Sequence, residues 1–166
     1  MEERILGKTG RAVSVIGLGT WQLGADWGEV ADADALATLE AAAQAGVTFL
    51  YTHDTTFAAS DHRSYNRHGE AFDAGETFSG VDFDTGVDAA REFATLVPPG
   101  ATAAQAALAW VIQQPGVSTV IPGARNPQQA RQNAAAAELP PFTDAQLGAI
   151  EAIYDQRIRA QVHDRW

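Results

Sequence analysis

The chain has no cysteine, which excludes disulfides, thiolate metal sites and a cysteine nucleophile. It has one lysine, Lys8, so any mechanism that needs a lysine must use that one. Basic side chains are scarce: 11 Lys and Arg face 21 Asp and Glu, leaving a formal charge of -10 and a pI near 4.6. A polyanion is repelled by most of such a surface, so nucleic acid is not an expected partner. No stretch approaches the roughly 18 apolar residues of a membrane span, and Met1-Glu2-Glu3-Arg4 opens no signal peptide. No membrane partner and a cytoplasmic location are expected. Neither Gly-x-Ser-x-Gly, a P-loop nor Gly-x-Gly-x-x-Gly occurs, which takes three common enzyme classes out of the lead.

What is present suits one globular domain: 166 residues, 46% hydrophobic and 19% charged, are enough for a real core. Glu3 to Leu6 and Ala12 to Ile16 flank Gly7-Lys8-Thr9-Gly10 and predict a β-hairpin with glycines where positive φ is needed. The second run continues through Gly17-Leu18-Gly19-Thr20-Trp21, whose glycines permit close approach of another backbone or a ligand. From Asp32, a candidate N-cap, Leu36, Leu39, Ala42 and Ala43 recur at helical spacing until Gly46 stops the helix. Val47 to Tyr51 then reads as a strand, which makes a βαβ unit with parallel pairing.

Residues 52–83 keep no period of 2 or of 3.6 and read as an unusually long loop. Beyond it, Asp84 is a candidate cap for a helix to about Leu96, and Thr102 with Gln105 forms a capping box for the next helix. Val117 to Ile121 reads as a buried strand. Asn126 can cap a helix with Pro127 at its first position, running to about Ala137. Thr143 and Gln146 open a final amphipathic helix with Leu147, Ile150, Ile153 and Tyr154 on one face.

Val120-Ile121-Pro122-Gly123-Ala124-Arg125-Asn126-Pro127 is the strongest local constellation. A guanidinium at a helix N-terminus makes an anion site, with phosphate as its natural ligand. On spacing alone, a plain capped helix with a solvated arginine is the commoner arrangement. Gly17 to Trp21 offers small residues and an indole that can stack on a ring, although a packed tryptophan at a strand end is commoner. His53, Asp54, Asp61, His62 and His68 carry metal-ligand side chains without a recurrent ligand spacing, so no metal is expected. Asp26, Glu29, Asp32 and Asp34 read as acidic groups favoured at a helix start.

Taken together, Arg4-Ile5-Leu6-Gly7-Lys8-Thr9-Gly10, Val15 to Trp21 and Ala45-Gly46-Val47-Thr48-Phe49 resemble the opening of an aldo-keto reductase. Val117 to Asn126, followed by Gln129 and Asn133, is similar to that family's last barrel strand and adenosine-phosphate segment. The resemblance implies a β/α barrel that reduces carbonyls with NADPH, and it makes phosphate the favoured reading of Arg125. It places Gly19, Thr20 and Trp21 near the nicotinamide. Gly123, Ala124 and Arg125 would hold the 2′-phosphate, and Gln129 and Asn133 would contact the adenosine.

The middle of the family pattern does not carry over. The family's catalytic aspartate position holds Tyr51, its tyrosine position holds Thr56, and residues 51–57 with Asn66 to Glu70 resemble the stretch after the seventh strand. The chain therefore reads as a barrel whose second strand is joined directly to that later loop. A complete barrel takes about 250 residues. The expected fold is thus α/β, an incomplete β/α TIM-type barrel with an N-terminal β-hairpin, in one shortened domain. Its parts are residues 1–51 (hairpin and first βαβ unit), 52–83 (loop) and 84–166 (C-terminal helices and last strand). The expected function is a family protein that keeps part of the NADPH site, lacks the catalytic tetrad and has little or no reductase activity. The alternatives are a non-catalytic binding or self-associating protein, pairing through open sheet edges, and a shortened gene product without independent function.

Overall fold

Gly7 and Gly10 take φ of 49° and 70°, values that a side chain resists, and between them the chain turns from β1 (Glu3–Ile5) to β2 (Ala12–Ser14). The two strands pair antiparallel with Arg4 opposite Val13, as the sequence predicts. These coordinates come from a computed structural model, which describes residues 1–20, 23, 30–51 and 80–165. The chain divides into two compact units, residues 1–53 with 97–142 and residues 54–96 with 143–166.

In the first unit, β3 (Leu18–Gly19) pairs parallel with β4 (Leu50–Tyr51), placing Leu18 beside Leu50 and Gly19 beside Tyr51. Helix α1 (Asp32–Gln44) connects them, giving the expected βαβ unit. On its other side the same segment makes parallel bridges from Ile16 to Val120 and from Gly19 to Gly123. The first strand is therefore flanked by the second and by the last parallel segment. Among the described residues no sheet closes on itself.

Two strand expectations contract. Val117 to Ile121 supplies only the Val120 bridge, Gly123 adds a second bridge beyond it, and Ile121 is 38% exposed. Val47 to Tyr51 makes a ladder only at Leu50–Tyr51, with Val47 instead buried in the core. Its N–H completes the helix end by bonding to the Ala42 carbonyl.

The core of this unit lies on the helix side of the strands. Leu18 packs with Ala41, Ala42, Val47, Ala124, Ala130 and Ala134, so α1 meets α4 (Pro127–Ala135) through alanines, whose small side chains let the helix backbones come close. Val15 and Ile16 join Ile112 and Ala136 in a second cluster, and Ile112 comes from α3 (Ala103–Gln113). Polar groups also tie distant strands. Ser14 and Thr48 bond reciprocally, each backbone N–H donating to the other's hydroxyl at 2.8 and 2.9 Å. Arg4 Nη1 donates to the carbonyls of Ile112 and Val117, and Ser118 donates to the Ile5 carbonyl. The hairpin is thereby anchored near the N-terminal ends of the parallel segments.

Caps follow the sequence in three places and depart from it in two. Both capping boxes form, Thr102 with Gln105 and Thr143 with Gln146, and Asn126 caps α4 with Pro127 at its first position. Asp32 is not the cap of α1: Ala31 holds that position without a side-chain bond, and Asp32 and Asp34 lie in the first turn, where the dipole favours them. Asp82, not Asp84, caps α2 (Phe83–Ala94), accepting from the Thr85 N–H. An acceptor must precede the first turn to reach its N–H groups, and Asp84 already lies within it. Helix α4 ends at Ala135 and continues as a 3₁₀ turn, Ala136–Glu138.

In the second unit, α2 packs against the last helical run. That run begins as α5 (Asp144–Ile153), opens into a π turn at Tyr154–Ile158 and continues as α6 (Arg159–Val162). Leu147, Ile150, Ile153 and Tyr154 form its half-buried face. Arg157 pairs with Glu92 of α2, and this hydrogen bond holds the guanidinium pKa above its ordinary value.

Candidate functional site

The C-terminal ends of the three parallel segments meet at Gly19. Its N–H donates to the Pro122 carbonyl at 3.0 Å. A Cβ at Gly19 would come within 3.2 Å of the Ile121 carbonyl oxygen, so glycine there permits close backbone approach. Gly17 is tighter still, since a Cβ would lie 2.7 Å from Ile121 Cγ2 and 2.9 Å from the Phe49 carbonyl oxygen. Thr20 then closes the strand end, donating to the Tyr51 carbonyl from its N–H at 2.9 Å and its hydroxyl at 3.1 Å.

On the neighbouring segment the chain turns from Gly123 into α4. Ala124 is buried in the core and fixes the turn from below. Asn126 Oδ1 accepts the Gln129 N–H at 2.9 Å. Gln129 Oε1 in turn accepts the Arg125 N–H at 2.8 Å. Asn133 Nδ2 donates to the Gly123 carbonyl at 3.0 Å. One face of α4 therefore shapes the turn that presents Arg125, an exposed residue at the positive end of a helix dipole.

Gly19, Thr20, Gly123, Ala124, Arg125, Gln129 and Asn133, far apart in sequence, thus come together in one unit. The Gly19–Gly123 bridge joins the two groups. Trp21 lies outside the described residues, as do Thr56, Asp26, Glu29 and the metal-type side chains His53, Asp54, Asp61, His62 and His68. Among the described residues no three His, Asp or Glu side chains gather as a metal site, and no helix is long and apolar enough to cross a membrane. Lys8 stands in the hairpin turn, whose strands are anchored at the opposite ends of the parallel segments by the Ser118–Ile5 bond.

Sequence reasoning misses the roles of two carbonyls, those of Tyr51 and Pro122, which hold Thr20 and Gly19. Side-chain patterns carry no trace of them. The resemblance gives Gln129 and Asn133 to the adenosine, and in the structure both amides bond to the turn. Their spacing of four on one helix face, three and seven residues beyond the Asn126 cap, was the available signal.

A family model described as the aldo/keto reductase family matches residues 15–56 and 50–155, two stretches that overlap at 50–56. No curated protein matches the chain.

Proposed function

Because the chain belongs to the aldo/keto reductase family, we propose that it is a shortened barrel that retains part of an NADPH cleft without the residues that reduce a carbonyl. The observation that carries the proposal is the parallel bridge between Gly19 and Gly123, which sets the nicotinamide-end residues beside the phosphate-end turn. The overlap of the two family matches at 50–56 supports a direct join of the second strand to a later loop.

The donor set fits the phosphate end of a dinucleotide. Arg125 supplies a guanidinium suited to bidentate phosphate contact, on a turn fixed by Gln129 and Asn133. Gly123 adds no side chain beside it, and Gly19 and Thr20 stand at the end assigned to the nicotinamide. NADPH, when bound, supplies a hydride. Proton delivery to a carbonyl oxygen needs an acid tuned by a nearby cation, and Lys8 is held at the other end of the strands. Among the described residues the site is therefore fitted to bind and orient the cofactor, and no lysine stands beside it to tune a proton donor.

The proposal is tested by titrating NADPH and NADH while following tryptophan emission. NADPH binds more tightly, and Arg125→Ala weakens NADPH by about tenfold or more while changing NADH little. Equal loss for both cofactors, or binding of neither, overturns it.

Self-association is the second reading. It is favoured by Leu50, 53% exposed on β4, which pairs only with β3 among the described strands. An exposed apolar side chain at the edge of a sheet invites another chain. Light scattering that reports only monomer at working concentration rejects it.

A further inference from the structure

One row across the three parallel segments reads Tyr51, Gly19, Gly123, since Gly19 pairs with Tyr51 on one side and with Gly123 on the other. Residues two apart on a strand share a face, so the row beneath it on that face holds Phe49, Gly17 and Ile121. There the side chains close over the glycine: a Cβ at Gly17 would touch Phe49 Cδ1 at 3.1 Å and Ile121 Cγ2 at 2.7 Å. The upper row is different. Its only side chain is that of Tyr51, and the two positions beside it are glycines, so among the described residues this row offers peptide backbone from about 5 Å beyond the Tyr51 strand for about another 5 Å.

Tyr51 is 43% exposed on this row, so the residue is reachable from solvent. The Thr20 bonds to the Tyr51 carbonyl fix its backbone to β3. Bare peptide beside an aromatic wall suits a planar ring, which can lie against the backbone and pack on the phenol. Two residues beyond Gly123, the same segment carries Arg125. A ring and an anionic group on one ligand would thus meet a wall and a cation on one strand-end surface.

We infer that Tyr51 is the ring-contacting residue of this site and sets its preference for a ligand with a flat ring at the end remote from its phosphate. The inference rests on the NADPH reading above, with the nicotinamide as the ring. It assigns to Tyr51 a packing role at the position where the family resemblance expects an acid.

The test compares NADPH with 2′,5′-ADP, which carries the phosphate end and no nicotinamide, by calorimetry on the wild type, Tyr51→Ala and Tyr51→Phe. Tyr51→Ala weakens NADPH by about three- to tenfold and leaves 2′,5′-ADP unchanged, and Tyr51→Phe restores NADPH because the ring, not the hydroxyl, makes the contact. Unchanged NADPH affinity in Tyr51→Ala overturns the inference while the NADPH reading stands. Equal weakening of both ligands also overturns it, since that marks a general structural role. Binding of neither ligand by the wild type defeats the NADPH reading, and this inference with it.

Discussion

Gln129 Oε1 accepts the backbone N–H of Arg125 at 2.8 Å, so the helix that follows the turn holds the residue that carries its positive charge. The Asn126 cap, the Gln129 amide and the Asn133 bond to Gly123 form a chain of contacts on one side of α4. In this arrangement the arginine's backbone is positioned before any ligand arrives, which lowers the ordering cost of binding.

Removing that contact should therefore cost affinity without changing charge. Gln129→Ala loses one hydrogen bond, about 1 kcal/mol, and is expected to weaken NADPH by up to about fivefold and to lower the unfolding midpoint by only a few degrees. Calorimetric titration measures it. Unaltered affinity would show that the turn is held without the Gln129 bond.

Gly17 offers a sharper test of the packing beneath the site. With Ile121 Cγ2 at 2.7 Å and the Phe49 carbonyl at 2.9 Å from a Cβ, one neighbour being backbone, Gly17→Ala must displace a strand. A loss of about 1–3 kcal/mol is expected in urea unfolding. A neutral substitution would mean that the three segments are less tightly apposed than the distances indicate.

Thr102 tests the capping of α3. Its hydroxyl accepts the Gln105 N–H while Gln105 accepts the Thr102 N–H in return, so Thr102→Ala should cost about 1 kcal/mol. Thr102→Ser, which keeps the acceptor, should recover most of it. Identical stabilities for the two variants would contradict the capping account.

In the second unit the acid limb depends on Asp82. The Thr85 N–H, then the Thr85 hydroxyl, hold its carboxyl below the usual aspartate range. A depressed carboxylate stabilises the fold fully above its unfolded pKa, about pH 4, and loses that contribution as pH falls through the lower folded value. Asp82→Asn keeps a capping oxygen without a titrating group. Its helical signal is expected to show a shallower decline below about pH 4 than the wild type in circular dichroism, and superimposable acid limbs would contradict this.

Local chemistry explains what the sequence shows plainly. The hairpin glycines, Gly46, both capping boxes and the Asn126-Pro127 start depend on residues within a few positions of one another, and each forms. Where two acceptors compete for one helix start, spacing misleads: Asp84 resembles a cap, yet Asp82 reaches the Thr85 N–H. The strands are harder for a different reason. A ladder exists only where partners far along the chain come alongside, so Val117 to Ile121 has strand composition but pairs at single points. The Ser14–Thr48 exchange and the Arg4 anchor join residues whose types carry no mark of each other. The candidate site residues came from a family pattern of glycine, arginine and amide positions, and the fold brings them into one unit. That Gln129 and Asn133 shape the turn emerged only from the fold.

Binding without turnover is the central claim, and one titration tests it most directly. NADPH is added to the wild-type chain, saturation is followed by tryptophan emission, and a simple aldehyde is then supplied while nicotinamide absorbance is recorded. The account predicts saturable binding followed by constant absorbance. Absorbance that falls with steady turnover, or an emission signal that NADPH never changes, would contradict it.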